Sequence, residues 1–525
     1  MSKHTTLSKF SKNAGMTVFL ASFVLLLATL FMGNFTLEQS SVDSVFGEKA
    51  TYISPLLEPI IGKTYTNKAS FVSDINQAID THNETVRANK EWDKEIYSTS
   101  EKVLYVAKAS LVGKVKNNAK TLGWLTFISG IFASLIHVLA TIKDAPPGIK
   151  NNGIFFKSLT YRGWIGMSLG SLLISFYVVL YWFPAYLTEW IYLLDPLAVK
   201  MSGSAASQWF LYGCFYTIAV VVMGIRFIIK YRHNKYQKLR TLSVMFFQVA
   251  FAFAIPQVLQ SLSLPAIDLK NIWPLDYSFF FEYRLNDLMA QGTIGFFMLG
   301  WGLALIGIGV PVFVYFFGKR WYCSWVCGCG GLAETAGDSF RHLSDNGIKA
   351  WKIERYLIHG VLVFAVVMTG AVLYTYFTQN STIAGLNSYD VRKWYGFGIG
   401  SVFAGVIGTG FYPLMGNRMW CRFGCPLAAY LGLVQRFKSK FRITTNGGQC
   451  ISCGNCSTHC EMGIDVKWYA QRGEPIIRSS CVGCGICSAV CPRGVLNLES
   501  ADEDGRFNGY IRPEEIDLVQ HLEKV

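Results

Sequence analysis

The sequence predicts a mostly α fold: a polytopic helical membrane protein of about eight spans, followed by a small cytoplasmic α+β segment. Three observations carry that expectation. The 525 residues are 51% hydrophobic and 15% aromatic with only 16% charge, a balance far from that of a soluble domain. Apolar stretches near the roughly 20 residues needed to cross about 30 Å of hydrocarbon recur along the chain. Thirteen of the fourteen cysteines lie after position 320, so the apolar body is followed by a region of different chemistry.

The spans are expected at 16–33, 121–142, 163–187, 208–229, 242–262, 290–317, 355–377 and 395–415. The first, MTVFLASFVLLLATLFMG, follows Lys3, Lys9 and Lys12 as a signal peptide would. It lacks a small-x-small cleavage site, and 1–33 reads as an uncleaved anchor. Residues 121–262 form a four-span region. Residues 263–440 form a second membrane region, 441–500 the cytoplasmic segment, and 501–525 a C-terminal tail.

The formal net charge is +14, but its cations sit in short clusters between apolar runs, which speaks against nucleic acid and for the loops of a membrane protein. An inside N-terminus assigns three groups to the cytoplasm ahead of the cysteines. They are Lys3, Lys9 and Lys12; Lys143, Lys150, Lys157 and Arg162; and Lys230, Arg232, Lys235, Lys238 and Arg240. Lys319, Arg320, Arg341, Lys349, Lys352 and Arg355 follow on the same side, against Lys200, Lys270, Arg284, Arg392 and Lys393 outside. The asymmetry satisfies the positive-inside rule. Both termini are then cytoplasmic, and the bilayer is the first partner.

Residues 34–120 fall outside and are polar with apolar positions at helical spacing, which predicts helices and a small cap or docking element. They contain no cysteine, no C-x-x-C-H haem site and no Gly-rich phosphate loop.

CISCGNCSTHC supplies Cys450, Cys453, Cys456 and Cys460 in C-x2-C-x2-C-x3-C spacing, and CVGCGICSAVCP repeats it with Cys481, Cys484, Cys487 and Cys491. This is the run of a two-cluster, ferredoxin-like segment, in which the fourth cysteine ligates the other cluster. Two [4Fe-4S] clusters follow: one on Cys450, Cys453, Cys456 and Cys491, the other on Cys481, Cys484, Cys487 and Cys460. Zinc ribbons also use C-x2-C pairs, but two triplets plus one each suit two cubanes. A reducing compartment follows, not a disulfide framework. Because every iron is saturated by sulfur, such clusters imply electron transfer rather than bond chemistry. Glu461 stands where this pattern usually has proline, as Pro492 does in the second copy.

Earlier, GKRWYCSWVCGCG from Gly318 and GNRMWCRFGCPLA from Gly416 repeat a glycine, an arginine two residues on, an aromatic and a C-x3-C pair. Each directly follows a span, which implies two related half-units. Cys323 with Cys327, and Cys421 with Cys425, offer four soft ligands. Copper(I), an extra iron-sulfur centre, a redox-active dithiol and a structural turn are all compatible with them. Cys329 is extra, and Cys214, alone in a span, reads as a packed thiol.

The doubled span plus C-x3-C element followed by a two-cluster segment, over roughly residues 290–500, resembles the membrane polyferredoxin family. That family includes the nitrous-oxide-reductase accessory protein and the membrane subunit of the periplasmic nitrate reductase quinol dehydrogenase. Residues 34–120 are too short for the outer flavin-binding domain of the former. The resemblance implies a multi-pass protein of the bacterial inner membrane. It also implies electron passage between the quinone pool or a cytoplasmic donor and a periplasmic redox enzyme or its maturation. The alternative is a copper-handling assembly factor for an exported oxidase or reductase, working through Cys323, Cys327, Cys421 and Cys425.

A path across the bilayer asks for a further group. His137 and His359 are the two candidates for pairing across a b-type haem. A quinone pocket beside the C-x3-C elements is the stronger expectation, with Trp321, Trp325 and Trp420 as wall candidates or interface anchors.

Overall fold

Long apolar runs must satisfy their own backbone hydrogen bonds where no water reaches, and the helix is the way a single segment does so. A computed structural model describes residues 3–142, 145–383 and 385–500; Lys143 and the 501–525 tail lie outside the described residues. Seven helices there are long and apolar enough to cross a membrane: Lys9–Thr29, Ala119–Ile142, Trp164–Trp182, Gln208–Lys230, Lys235–Ser261, Gly292–Phe317 and Ile348–Thr378. Phe296, Phe297, Ile308, Val363 and Val367 on two of them are exposed, as lipid-facing side chains are. The fold is that of a polytopic helical membrane protein with a small ferredoxin-like segment.

The expected eighth span behaves differently. Residues 388–410 are helical but wound as a π-helix over Gly396–Ile407, and Gly396, Gly398, Gly400, Gly405, Gly408 and Gly410 dilute its apolar character. Some of those glycines are spacers. A Cβ on Gly410 would meet Ile174 at 2.6 Å, and one on Gly408 would meet Trp420 at 2.9 Å.

The chain divides into two units. The first comprises Met1–Ala145, Ser175–Val222 and Gln257–Ser263. Its polar part contains the expected helices, the longest being Lys68–Ala88, where the Asn67 side chain caps Ala69 N at 2.9 Å. Phe71, Ile75, Ile79 and Val86 form its buried stripe. A three-stranded antiparallel sheet accompanies the helices, with Phe35 of Asn34–Thr36 paired to Tyr65 on one side and Leu111 on the other. Strands of two or three residues are too short for a periodicity argument. Two half-buried ion pairs, Lys68 with Glu189 and Lys108 with Asp195, tie these helices to the segment 188–206.

The second unit comprises Pro146–Ile174, Met223–Pro256 and Leu264–Val525. Its core gathers Val310, Val314 and Ile358 from the helices, Leu427 and Leu431 from Pro426–Lys438, and Ile443, Val482 and Leu496 from the C-terminal segment. Seven cysteines are buried in that same core.

Candidate metal centres

The C-terminal segment is closed by two antiparallel strands, Arg442–Thr445 and Leu496–Glu499, in register from Arg442 opposite Glu499 to Thr445 opposite Leu496. Between them the two cysteine runs fold alike. Gly454 at φ 77° and Gly485 at φ 72° turn each run into a one-turn helix, Asn455–Thr458 and Ile486–Ala489. Only glycine adopts that backbone without strain. One small cavity is lined by Cys450, Cys453, Cys456 and Cys491. A second is lined by Cys460, Cys481, Cys484 and Cys487. Each triplet thus shares a cavity with the fourth cysteine of the other run, and both donor sets fit a cubane. Ile464 N donates to Cys460 Sγ at 3.4 Å, the type of contact that tunes such sulfurs. Burial pushes the Cys456 thiol up to about 11 and the Cys460 thiol up to about 12, so metal binding at both must displace protons.

The C-x3-C elements converge on a third sulfur site. Cys323 ends the short helix Arg320–Cys323, while Cys327 and Cys425 stand at the N-caps of Gly328–Thr335 and Pro426–Lys438. Cys425 Sγ accepts from Ala428 N at 3.4 Å. Cys323, Cys327, Cys421 and Cys425 are each 6% exposed and share one core cluster, with Cys329 packed at its edge. None forms a disulfide, so all four thiols can act as ligands.

Space around this site is tight. A Cβ on Gly330 would lie 2.1 Å from the Cys323 carbonyl oxygen. Gly330→Ala must therefore push the helix that starts after Cys327 away from Cys323, at an overpacking cost of about 1–3 kcal/mol. The expected result is a lower unfolding midpoint together with loss of any metal held by these four cysteines and intact ferredoxin signals. Unchanged metal content would contradict the packing argument.

Residues the sequence reading passed over fix the ferredoxin loop to these elements. Lys319 Nζ donates to Ser479 O at 2.9 Å, Ser324 Oγ to Val482 O at 2.7 Å, and Gln435 Nε2 to Cys481 O at 2.9 Å. Tyr236 and Gln237 reach the carbonyls of Gly483 and Cys484 at 2.9 and 2.8 Å. The first C-x3-C element thereby clamps the second cysteine run. Glu461, the departure from the proline pattern, is fully buried and paired with Arg341 and Arg418. Neighbouring cations outweigh burial and hold its carboxyl down near 2. The only advance signal was the unexpected residue type itself.

A cavity of about 560 Å³ opens beside Cys421 and Met462. Trp351, Tyr356, His359 and Tyr469 line it, with Glu354 and Arg422 paired at 2.6 Å on its wall. The expected tryptophans are elsewhere. Trp321 packs on Phe313 at 4.9 Å, Trp420 on Phe403 at 6.0 Å, and Trp325 Nε1 donates to Tyr236 Oη at 3.2 Å. His137 and His359 belong to different units, and each ring engages its own surroundings: His137 Nδ1 with Lys12 O at 3.0 Å, His359 Nδ1 with Arg355 O at 2.6 Å. Cys214 is buried, as a packed thiol should be.

Residues 301–345 and 397–444, which hold the C-x3-C pairs, match the 4Fe-4S binding domain family, and residues 442–493 match the 4Fe-4S dicluster domain family. YccM of Escherichia coli (strain K12), whose electron transport role is itself inferred, is 28% identical over 158 residues, covering 28% of this chain and 43% of YccM. The methylamine utilization ferredoxin-type protein MauN of Paracoccus denitrificans (strain Pd 1222) is 29% identical over 193 residues, covering 34% of this chain and 63% of MauN. MauN of Methylobacillus flagellatus is 26% identical over 160 residues, covering 30% and 54%. The chain spans about half the length of the curated relatives it matches. No solved structure matches it. The chain is accordingly a multi-pass helical protein with ferredoxin-type 4Fe-4S domains, similar to YccM and MauN.

Proposed function

We propose that this chain is an integral membrane iron-sulfur protein that passes electrons between quinol or a cytoplasmic donor and a periplasmic reductase or its maturation system. The observation that carries the reading is the segregation of eight cysteines into two crossed sets of four around separate cavities, beside a third buried set of four. Cys450, Cys453, Cys456 and Cys491 hold one [4Fe-4S] cluster, and Cys460, Cys481, Cys484 and Cys487 the other. Cys323, Cys327, Cys421 and Cys425 hold a further iron-sulfur centre. Bound clusters supply one-electron redox steps; the protein's part is to order, insulate and position them. Cys453 is exposed, which presents the first set to a soluble partner, while the second set is clamped to the C-x3-C elements.

The cavity beside Cys421 would take a quinone headgroup, with Trp351 and Tyr356 on its wall. Oxidation of a quinol there would pass two electrons, one at a time, to the iron-sulfur centres, with Glu354 and His359 the wall groups that would receive the two protons. With the helix over 388–410 counted as an eighth crossing, the positive-inside pattern supports a cytoplasmic cysteine segment at a bacterial inner membrane, with residues 34–120 outside. The repeat architecture supports membership in the membrane polyferredoxin family.

The test is anaerobic purification followed by iron and acid-labile sulfide analysis, EPR, and addition of a short-chain quinol. The expected result is about twelve irons per chain from three cubanes and quinol-dependent reduction. Zinc in place of iron and sulfide would overturn it. Substituting the four C-x3-C cysteines separates this reading from copper assembly. Lost electron flow with a fully metallated client supports the carrier, and a copper-deficient client with normal electron flow refutes it.

A further inference from the structure

We infer that Arg418 and Glu461 form a charge couple that positions the C-x3-C sulfur site against the second ferredoxin cysteine set and sets their redox potentials in opposite directions. The inference rests on the proposal that both cysteine sets hold iron-sulfur centres. Arg418 occupies the repeat position, two residues after Gly416, that Arg320 occupies after Gly318. The two arginines are used differently. Arg320 lies over the Phe441 ring, with its charged end 4.4 Å from the centroid, and donates to Ser500 Oγ at 3.0 Å. Arg418 is 1% exposed and donates to Cys421 Sγ at 3.7 Å and to the Cys323 carbonyl at 3.2 Å. One side chain therefore touches both C-x3-C pairs.

The same guanidinium reaches Glu461 Oε1 at 2.9 Å and Glu334 Oε1 at 2.8 Å. Glu461 directly follows Cys460, and Glu334, Glu461 and Cys484 bring their ligand-type atoms within 4.8 Å of one another. The carboxylate end of the couple thus lies at the second cysteine set, and the cationic end at the C-x3-C sulfurs. Arg341 completes the pairing of Glu461, and Arg240 that of Glu334. Proline at position 461 would place no charge there, so the departure from the motif is what creates the couple.

Adding an electron makes an iron-sulfur centre more negative. A fixed cation and an N–H···S contact favour the reduced form and raise the potential, whereas a fixed anion lowers it. Water and ions screen charges held this deep much less than charges at the surface. A buried ion pair that merely locks the fold would alter stability on removal but would not move two potentials in opposite senses.

The experiment is a potentiometric EPR titration of the full-length protein in detergent, comparing wild type, Glu461→Gln, Arg418→Met and Arg418→Lys, with iron content measured on each. Arg418→Met is expected to lower the potential of the C-x3-C centre and Glu461→Gln to raise that of the second ferredoxin cluster. Each shift is about tenfold in the reduced-to-oxidised ratio at fixed potential, about 59 mV for one electron. Arg418→Lys keeps the charge and recovers most of the potential. If Arg418→Met does not fold, the near-isosteric Glu461→Gln and the charge-conserving Arg418→Lys still decide. Unmoved potentials, or with full iron content a shift in Arg418→Met no larger at the C-x3-C centre than at the second cluster and one in Glu461→Gln no larger at the second cluster than at the C-x3-C centre, overturn the inference. A wild type lacking the C-x3-C iron signal overturns the reading beneath it instead, and iron analysis tells the two failures apart.

Discussion

Replacing Cys491 with alanine is expected to remove the redox centre of the other cysteine run, not that of its own. Cys491 lines the cavity of Cys450, Cys453 and Cys456, while Cys481, Cys484 and Cys487 share theirs with Cys460. Loss of one thiolate leaves an iron without its protein ligand, and the expected outcome is about four irons fewer per chain. The EPR signals that remain belong to the second set and to the C-x3-C centre. Cys460→Ala gives the complementary loss and also loosens the loop that carries Glu461. If Cys491→Ala instead eliminates the centre held by Cys481, Cys484 and Cys487, the crossed arrangement is wrong and each run serves itself. Spin–spin broadening between the two ferredoxin clusters in the reduced wild type, diminished in both variants, supplies an independent check.

The expectation that each run lends its fourth cysteine to the other followed from the two-cluster ferredoxin pattern, and the cavities place each fourth cysteine with the other triplet. Seven of the eight spans were equally legible, since about 20 apolar residues with few charges have one stable fold in hydrocarbon. The 388–410 helix was marked by the same apolar run, but what its glycines do depends on Ile174, far away in sequence, and on Trp420 in the C-x3-C element that follows. The short strands around Phe35 carry too few residues to show a period. Convergence of the C-x3-C pairs on one core was suggested by their repetition, whereas the network of Arg240, Glu334, Arg341, Arg418 and Glu461 was not. Its members come from four separate stretches, and a buried charge leaves no pattern in sequence until its partner is known. The same limit applies to the cavity. Aromatic residues near a motif are many, and those that line this one, Trp351 and Tyr356, sit on the helix that rises past it.

Asp338→Asn is expected to cost about 3–5 kcal/mol of stability, the range for breaking a buried ion pair by removing one partner. Asp338 is 4% exposed. It accepts from Lys230 Nζ at 2.6 Å and Arg341 Nε at 2.9 Å, with Arg226 at 4.0 Å. Asparagine keeps the shape but leaves Lys230 without its counter-charge and Arg341 with only the glutamates. Because Arg341 also holds Glu461, the ferredoxin segment should loosen with it, and protease cleavage between residues 445 and 480 should rise in the variant. Burial alone would raise the Asp338 carboxyl, but Lys230, Arg341 and Arg226 outweigh it and hold it well below the ordinary carboxylate range. A depressed carboxylate contributes its full stability above the unfolded value near 4 and loses that contribution as pH falls toward the folded value. The gap in unfolding midpoint between wild type and Asp338→Asn should therefore be widest at neutral pH and narrow below about pH 4. The acid lability of bound clusters affects both proteins alike and drops out of the difference. A gap that stays constant from pH 7 to pH 3 would mean that the ion pairs around Asp338 contribute nothing beyond shape.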